Sequence, residues 1–524
     1  MTQTTLQTTS RSLIRNASLG LFGTVSVLGM SLLTSVIIAV QLGPSLLGLY
    51  SLVQWTRMTV GLLLDVGLTS AMTKFVSEFE GRSEPALAHA IARMLLGVQA
   101  LVAVPVGLGL ALGASLVAQL LGQPSITGYL RIAAIVLMLS MINGLLRAQL
   151  SGFQRFGQRA VLDIGASCVT LIGTLVVLAN AWSILGLLWL EVVVVGMQFV
   201  VFSCLLLRTN THHVVQPVAR PITRRMARYC TGVFCVTTID AIVWQRSETF
   251  FLGRYSAPSE IAYYGLAYNI STLVFITLSA TLGGVLFPTL SRRFGANQHT
   301  ELQSIYAAAT KYLALMMLPL AVGGIALAPG IIDLLYGAEY QAAVPILRML
   351  LLGASLGGLI APGSALLFAL GRPSRVLVWG VPIAALNIAL AFLLVPRFGG
   401  WGAATANSVS QIASVSATTL YVVAWHKYRL PWRELMRVAL AALVVGGFAW
   451  LVATQLHGVP GLLVAILLGV LVYGPVLVMV GALTPTDMAV LDELSRRGPR
   501  MLGVFMRLII RMRPAHHEPI NNHG

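Results

Sequence analysis

Charge is what this chain has least of. Only 10% of its 524 residues are charged and only 17 are acidic, against 57% hydrophobic. So few charges cannot cover a large water-exposed surface, which excludes a large soluble protein. Cysteine is equally scarce: Cys168, Cys204, Cys230 and Cys235 all lie in apolar stretches or at their ends, so no disulfide framework is implied. The stretch 114–128 contains no ionisable residue, one of several short outer loops that leave no room for an extracytoplasmic domain. The paired His516 and His517 stand in a Pro- and Asn-containing tail and imply no metal site, and no motif implies a cofactor. No short apolar run with a small-residue cleavage site follows the polar N-terminus, so the first apolar segment is expected to be retained as a signal anchor.

What the chain has instead is apolar runs of membrane length. Fourteen segments emerge, at 19–40, 46–66, 88–113, 129–149, 161–180, 184–207, 229–251, 262–287, 309–333, 345–370, 374–395, 402–424, 435–455 and 459–482. Each can cross a hydrocarbon core of roughly 30 Å, which takes ~20 helical residues. Numbering the gaps in order, the even ones and both termini, with the segment ends that adjoin them, hold 28 of the 34 basic residues. Basic loops stay cytoplasmic, so both termini are expected inside. The formal net charge of +17 then follows from topology and lies along an anionic leaflet, which predicts anionic lipids as partners and no nucleic acid.

The chain also repeats itself. LGPSLLGLY, with Pro44 and Tyr50, matches SAPSEIAYY, with Pro258 and Tyr264, at an offset of 214. The gap ending at Gly186 corresponds to the one ending at Gly402. Two six-segment lobes follow, with segments 13 and 14 appended. The expected organisation is a cytoplasmic N-terminus (1–18), an N-lobe (19–207), a basic linker (208–228), a C-lobe (229–424), segments 13–14 (435–482), an amphipathic basic tail (484–513) and a disordered end (514–524). Six is even, so the lobes are related by a pseudo-twofold along the membrane normal, as in transporters that bind between two halves. In the tail, Arg500, Arg507 and Arg511 share one helical face opposite Leu502, Phe505 and Ile509, and Thr484 with Asp487 is placed to start that helix.

Ionisable groups inside the apolar segments are costly and therefore candidates for function. Arg57 stands about eleven residues from the outer end of segment 2, near mid-bilayer at ~1.5 Å per residue. Gln54, Gly61 and Asp65 share its face. Asp240 lies at similar depth in segment 7, where Trp244 and Glu248 continue its face. Arg57 and Asp240 read either as one structural ion pair or as contacts to substrate or coupling ion. Arg246 and Glu248 read as an outer gate pair or a solvated rim. Glu191 in segment 6 reads as satisfied by a neighbouring helix or as a coupling site, and Asp65 and Asp163 as loop organisers.

The phrases QLGPSLLGLYSLV (41–53), LLDVGLTSAMTKFVSE (63–78), LLRAQLSGFQRFGQRAVLD (145–163), GRYSAPSEIAYYGLAYNI (253–270) and LLYGAEYQAAVPILRML (334–350) resemble, in this order, the polysaccharide-exporter branch of the multidrug/oligosaccharidyl-lipid/polysaccharide (MOP) superfamily. The resemblance covers residues 15 to 495. It implies a multi-pass bacterial inner-membrane flippase for undecaprenyl-diphosphate-linked oligosaccharide, feeding O-antigen, capsule or exopolysaccharide assembly, with polysaccharide polymerase machinery as a further partner. It also implies that segments 1, 2, 7 and 8 line a cavity, which makes Arg57, Arg246 and Gln54 the substrate-binding candidates. Asp240, Glu248 and Glu191 are the coupling-ion or gate candidates.

Three alternatives remain. A cation-coupled multidrug exporter of the superfamily is expected to have twelve helices and an acidic cavity. A peptidoglycan-precursor flippase is expected to carry further cations in segment 1. An enzyme needs reactive groups gathered at the outer face, whereas Glu260, Asp333 and Glu339 fall in separate short loops and His457 stands alone there.

Overall fold

The computed structural model describes residues 3–209, 217–244, 246–371, 373–456, 458–484 and 487–488. The side chain of Asp240, the middle of the basic linker and the tail from 489 onward, with its Arg500 face and its histidines, lie outside the described residues. Among the described residues the chain is all helical, and ten helices are long and apolar enough to cross a membrane. Many apolar side chains on them point outward, such as Leu101, Leu112, Val161 and Met479, as a lipid-covered surface requires.

Two of those ten, Ser26–Leu64 and Val378–Trp425, are each interrupted by one glycine. In α1 (Gln3–Leu64) the break is Gly43, at φ 70 and ψ 170, followed by Pro44. Only glycine adopts that backbone readily, and proline suits the first turn of the helix that follows. In α14 (Pro373–His426) the break is Gly399, at φ 53 and ψ −133. These interruptions fall where the sequence divides segment 1 from 2 and segment 11 from 12.

The remaining helices are α2 (Leu68–Gly81), α3 (Pro85–Leu112), α4 (Ala114–Leu120), α5 (Thr127–Gly152), α6 (Phe156–Ala179), α7 (Ser183–Thr209), α8 (Arg220–Trp244), α9 (Glu248–Tyr255), α10 (Pro258–Gly295), α11 (His299–Tyr336), α12 (Ala343–Gly358), α13 (Ile360–Ala369), α15 (Trp432–Gln455) and α16 (Gly458–Met479). They form two compact units. Unit 1 comprises Met1–Gly265 and Ile388–Ala403, and unit 2 comprises Leu266–Asn387 and Ala404–Gly524.

In unit 1 the inner core gathers Phe75, Met72, Ile91, Leu145 and Met226 from α2, α3, α5 and α8. Charge closes it at one edge: Arg225 Nη1 and Nη2 each donate to one Glu78 carboxylate oxygen at 2.9 Å. Beside this fork, Lys74 Nζ stands 4.0 Å from the Tyr229 ring. Elsewhere in the unit the two repeated phrases meet. A Cβ on Gly48 would fall 1.7 Å from the Pro258 carbonyl oxygen, so only glycine permits this approach of α1 to the start of α10. Glu260 in the same turn accepts the Gly400 N–H at 2.8 Å, capping the chain where α14 breaks.

In unit 2, α12 and α13 pack small residues against a buried polar stripe of α14. Gly353 meets Ser408, Gly357 meets Gln411 and Gly363 meets Thr418, each too closely for a Cβ. Without water in the bilayer, such polar groups bond locally: Ser408 donates to the Met349 carbonyl at 2.9 Å and Gln411 to Asn407 at 2.6 Å. A charged anchor ties the last described residues to this unit. Lys311, 4% exposed, lies 2.5 Å from Asp487 and 2.7 Å from Glu434. The Thr484 N–H donates to Asp487 Oδ2 at 2.7 Å while the Asp487 N–H donates to Thr484 Oγ1 at 3.4 Å, a reciprocal cap at the point where the sequence starts its tail helix.

Candidate functional site

The polar stripe of segment 2 is a side-chain network. Arg57 donates through Nη2 and Nε to Gln54 Oε1, at 2.6 and 3.1 Å. Gln54 Nε2 donates in turn to Glu191 Oε1, which also accepts the Tyr50 hydroxyl at 2.6 Å. Arg57 Nη2 lies 3.9 Å from Glu191 Oε2. Tyr50, Gln54 and Arg57 stand at i, i+4 and i+7, one face of α1, and that face meets Glu191 of α7. Gln54 acts as the spacer that orients the guanidinium, while Glu191 is the counter-charge. Glu191 Oε1 is thus held by two donors of α1, while Oε2 has only the guanidinium 3.9 Å away.

Arg57 also borders a cavity of about 320 Å³ that contains Arg246, Asp65, Thr69 and Ser140. Both sequence-predicted cationic residues therefore face one space. Arg246 reaches it from a break in segment 7: α8 ends at Trp244, α9 begins at Glu248, and Arg246 itself has φ 58. The sequence shows no Gly or Pro there and predicts one continuous helix over 229–251, so this interruption is a correction. A non-glycine residue in the left-handed region costs about 1 kcal/mol or more, and such strain concentrates at functional sites. The cost is met locally, with the Thr249 N–H donating to the Arg246 carbonyl at 2.9 Å.

Glu248 is fully buried and accepts the Tyr264 hydroxyl at 3.0 Å, so the solvated-rim reading does not hold for it. Asp65 terminates α1 and accepts the Thr69 hydroxyl at 2.9 Å, organising the chain reversal before α2. Asp163 faces Arg147 at 3.0 Å and Arg159 at 3.4 Å. The expected partner of Arg57, Asp240, lies outside the described side chains; Glu191 is the carboxylate found beside it. Tyr50, which the sequence marks only as part of the repeated phrase, joins the site through its i, i+4, i+7 spacing with Gln54 and Arg57.

Solved structures share this architecture. The lipid II flippase MurJ in its inward closed conformation superimposes with a TM-score of 0.70 at 17% identity, covering 88% of this chain and 97% of that one. An inward-facing multidrug resistance MATE family transporter of the MOP superfamily gives 0.66 at 15% identity, over 76% and 96%. The chain shares the fold of these transporters. A sequence model described as a polysaccharide biosynthesis protein matches residues 98–345. The succinoglycan biosynthesis transport protein ExoT of Rhizobium meliloti is 23% identical over 80% of this chain and 81% of its own length. The teichuronic acid biosynthesis protein TuaB of Bacillus subtilis is 27% identical over 25% of this chain, and the probable low-salt glycan biosynthesis flippase Agl15 of Haloferax volcanii 21% identical over 45%. The chain spans 27% of the length of TuaB and 51% of that of Agl15 in these matches. Where the names of these proteins state an activity, it is that of a transport protein or a flippase.

Proposed function

We propose that this protein is a flippase that moves a polyprenyl-diphosphate-linked oligosaccharide across the bacterial inner membrane by alternating access, for O-antigen, capsule or exopolysaccharide assembly. The observation that carries this reading is the shared cavity of Arg57 and Arg246, one on a mid-segment polar stripe and the other at a helix break. A diphosphate needs cations at membrane depth, and Arg offers a planar fork of donors for its oxygens. Broken helices in transporters characteristically line the substrate path. The oligosaccharide would follow the headgroup through wet space while the polyprenyl tail stays in lipid.

The topology we propose has fourteen crossings with both termini inside. Ten apolar helices, two of them divided at Gly43 and Gly399, give twelve, and the broken pair α8–α9 with α10 supply the other two. Gln54 is assigned to orienting Arg57, Glu191 to gating it, and Glu248 to holding the helix break. Asp240 remains a proposed coupling site. Anionic lipids along the basic surface and polysaccharide polymerase machinery are the proposed partners.

Proteoliposomes carrying a fluorescent polyprenyl-diphosphate sugar provide the test, with a membrane-impermeant lectin reporting the translocated fraction. The intact protein should move the lipid, and Arg57→Ala and Arg246→Ala should both fail while inserting normally. Efflux of cationic dyes with no lipid movement would replace this reading with that of a multidrug exporter.

A further inference from the structure

A second cavity in unit 1, about 630 Å³, extends from Arg57 and Glu191 to Arg147, Arg159 and Asp163. Its wall includes Val136 and Arg147 of α5 and Phe156 and Thr170 of α6. At ~1.5 Å per residue those spacings make it about 16–21 Å long. Its ends differ in charge. At one, a single guanidinium faces a single carboxylate, Arg57 with Glu191, their side chains 21% and 20% exposed. At the other, Arg147 and Arg159, 36% and 43% exposed, share Asp163, one on each carboxylate oxygen. Arg159 Nη1 also donates to Ser151 Oγ at 2.8 Å. Two guanidiniums carry many more N–H donors than one carboxylate and one hydroxyl accept, which leaves a net positive, donor-rich and open end.

A cluster serving only to organise the loop between α5 and α6 would fill its own space. This one borders a void instead, and Ser167, Thr170 and Gln198 place polar groups along the wall between its two charged ends. Arg147 and Arg159 flank a loop whose basic residues are expected on the cytoplasmic side, where a lipid-linked substrate would present its headgroup.

We propose that Arg147 and Arg159 form a loading site for the diphosphate of a lipid-linked substrate, separate from the Arg57–Arg246 cavity and leading to it along α6. Asp163 is the positioning residue that spreads the two guanidiniums. The ligand class rests on the flippase reading; the site rests on the cavity and its charges.

The test uses the full chain with its four cysteines replaced, a single cysteine at Ser167, and reconstitution in nanodiscs. The rate of labelling by a small methanethiosulfonate reagent is measured with and without farnesyl diphosphate. At about ten times its Kd, farnesyl diphosphate should slow labelling about tenfold, because the rate follows the unoccupied fraction of the site. Arg147→Gln with Arg159→Gln should abolish the protection, Arg147→Lys with Arg159→Lys should keep part of it, and Arg57→Ala should leave it intact. Should the Gln pair fail to insert, Arg159→Gln alone, at the more exposed position, serves in its place. Inorganic diphosphate should protect more weakly, since it lacks a lipid anchor. Equal protection by phosphatidylglycerol in the disc would make this an ordinary lipid site and overturn the proposal. Protection that survives loss of both guanidiniums would overturn it too. If lipid translocation is seen and depends on Arg57, but Ser167→Cys is never protected, the loading site falls and the flippase reading stands. If farnesyl diphosphate protects while no sugar-linked lipid is ever translocated, the site stands as a diphosphate site and the flippase reading falls.

Discussion

Arg57 and Glu191, on α1 and α7, stand 3.9 Å apart and are joined by Gln54, which accepts from the guanidinium and donates to the carboxylate. A cation in a membrane-length helix is tolerated when a partner offsets its desolvation. Held this way, Arg57 has its charge offset between α1 and α7, and we propose that a stronger anion competes with Glu191 for it.

Truncation of Arg57 separates its roles. Arg57→Ala should abolish lipid translocation and polymer export with the protein still in the membrane, whereas Arg57→Lys should recover part of it, keeping the charge and losing the fork. Normal export by a stably inserted Ala variant would remove Arg57 from the substrate path.

The reversed pair, Arg57→Glu with Glu191→Arg, asks whether this contact is structural. Removing one partner of a desolvated pair costs ~3–5 kcal/mol, so Glu191→Ala should lower thermal stability and the reversal should restore it. Translocation should stay lost in the reversal, because the cation has moved to the other helix. Restored translocation would mean that the pair does no more than hold α1 to α7.

At the helix break, Arg246→Gly removes the cation and suits φ 58 better than arginine does. Thermal stability should therefore be unchanged or higher while translocation falls. Lost stability together with retained translocation would show that Arg246 matters for the break and not for the substrate.

Packing in unit 2 makes a sharper demand. A Cβ at Gly353 would lie 2.3 Å from Ser408 Oγ and 2.6 Å from its Cα, so α12 or α14 must move. Gly353→Ala should cost about 1–3 kcal/mol and lower the unfolding midpoint in detergent. At Gly323, where a Cβ meets nothing within 4 Å, alanine should be neutral or stabilising by about 0.5–1 kcal/mol.

The Lys311 anchor should respond to acid. Burial raises the Asp487 carboxyl, but bonds from Lys311, Thr484 and Tyr312 outweigh it and hold the group below its ordinary range. A depressed folded-state value means stability that is present above the unfolded pKa of ~3.9 and lost as pH falls through the folded one. Protection factors of the amides at residues 482–484 and 487–488, which remove the base catalysis intrinsic to exchange, should therefore be unchanged between pH 7 and 5 and fall only below about 4. Lys311→Ala, which strands two carboxylates, should lower them at every pH, and Lys311→Met less so.

The sequence by itself determined what is local. Apolar length specified the membrane helices, and Gly43–Pro44 and Gly399 marked where two long helices break, because turn chemistry acts within a few residues. Spacing also put Gln54, Arg57, Gly61 and Asp65 on one stripe, with Tyr50 one turn further along it. Which carboxylate answers Arg57 was beyond it: depth along the helices pointed to Asp240, whereas Glu191 stands beside the guanidinium. The choice depends on how each helix is rotated and packed, and Gln54 reaches Glu191 across 137 residues of chain. The break at Arg246 was equally hidden, since no Gly or Pro announces it. The convergence of Arg147 and Arg159 on Asp163 follows the same logic. A charge in hydrocarbon requires a partner, and only the assembled helices decide which one lies within reach.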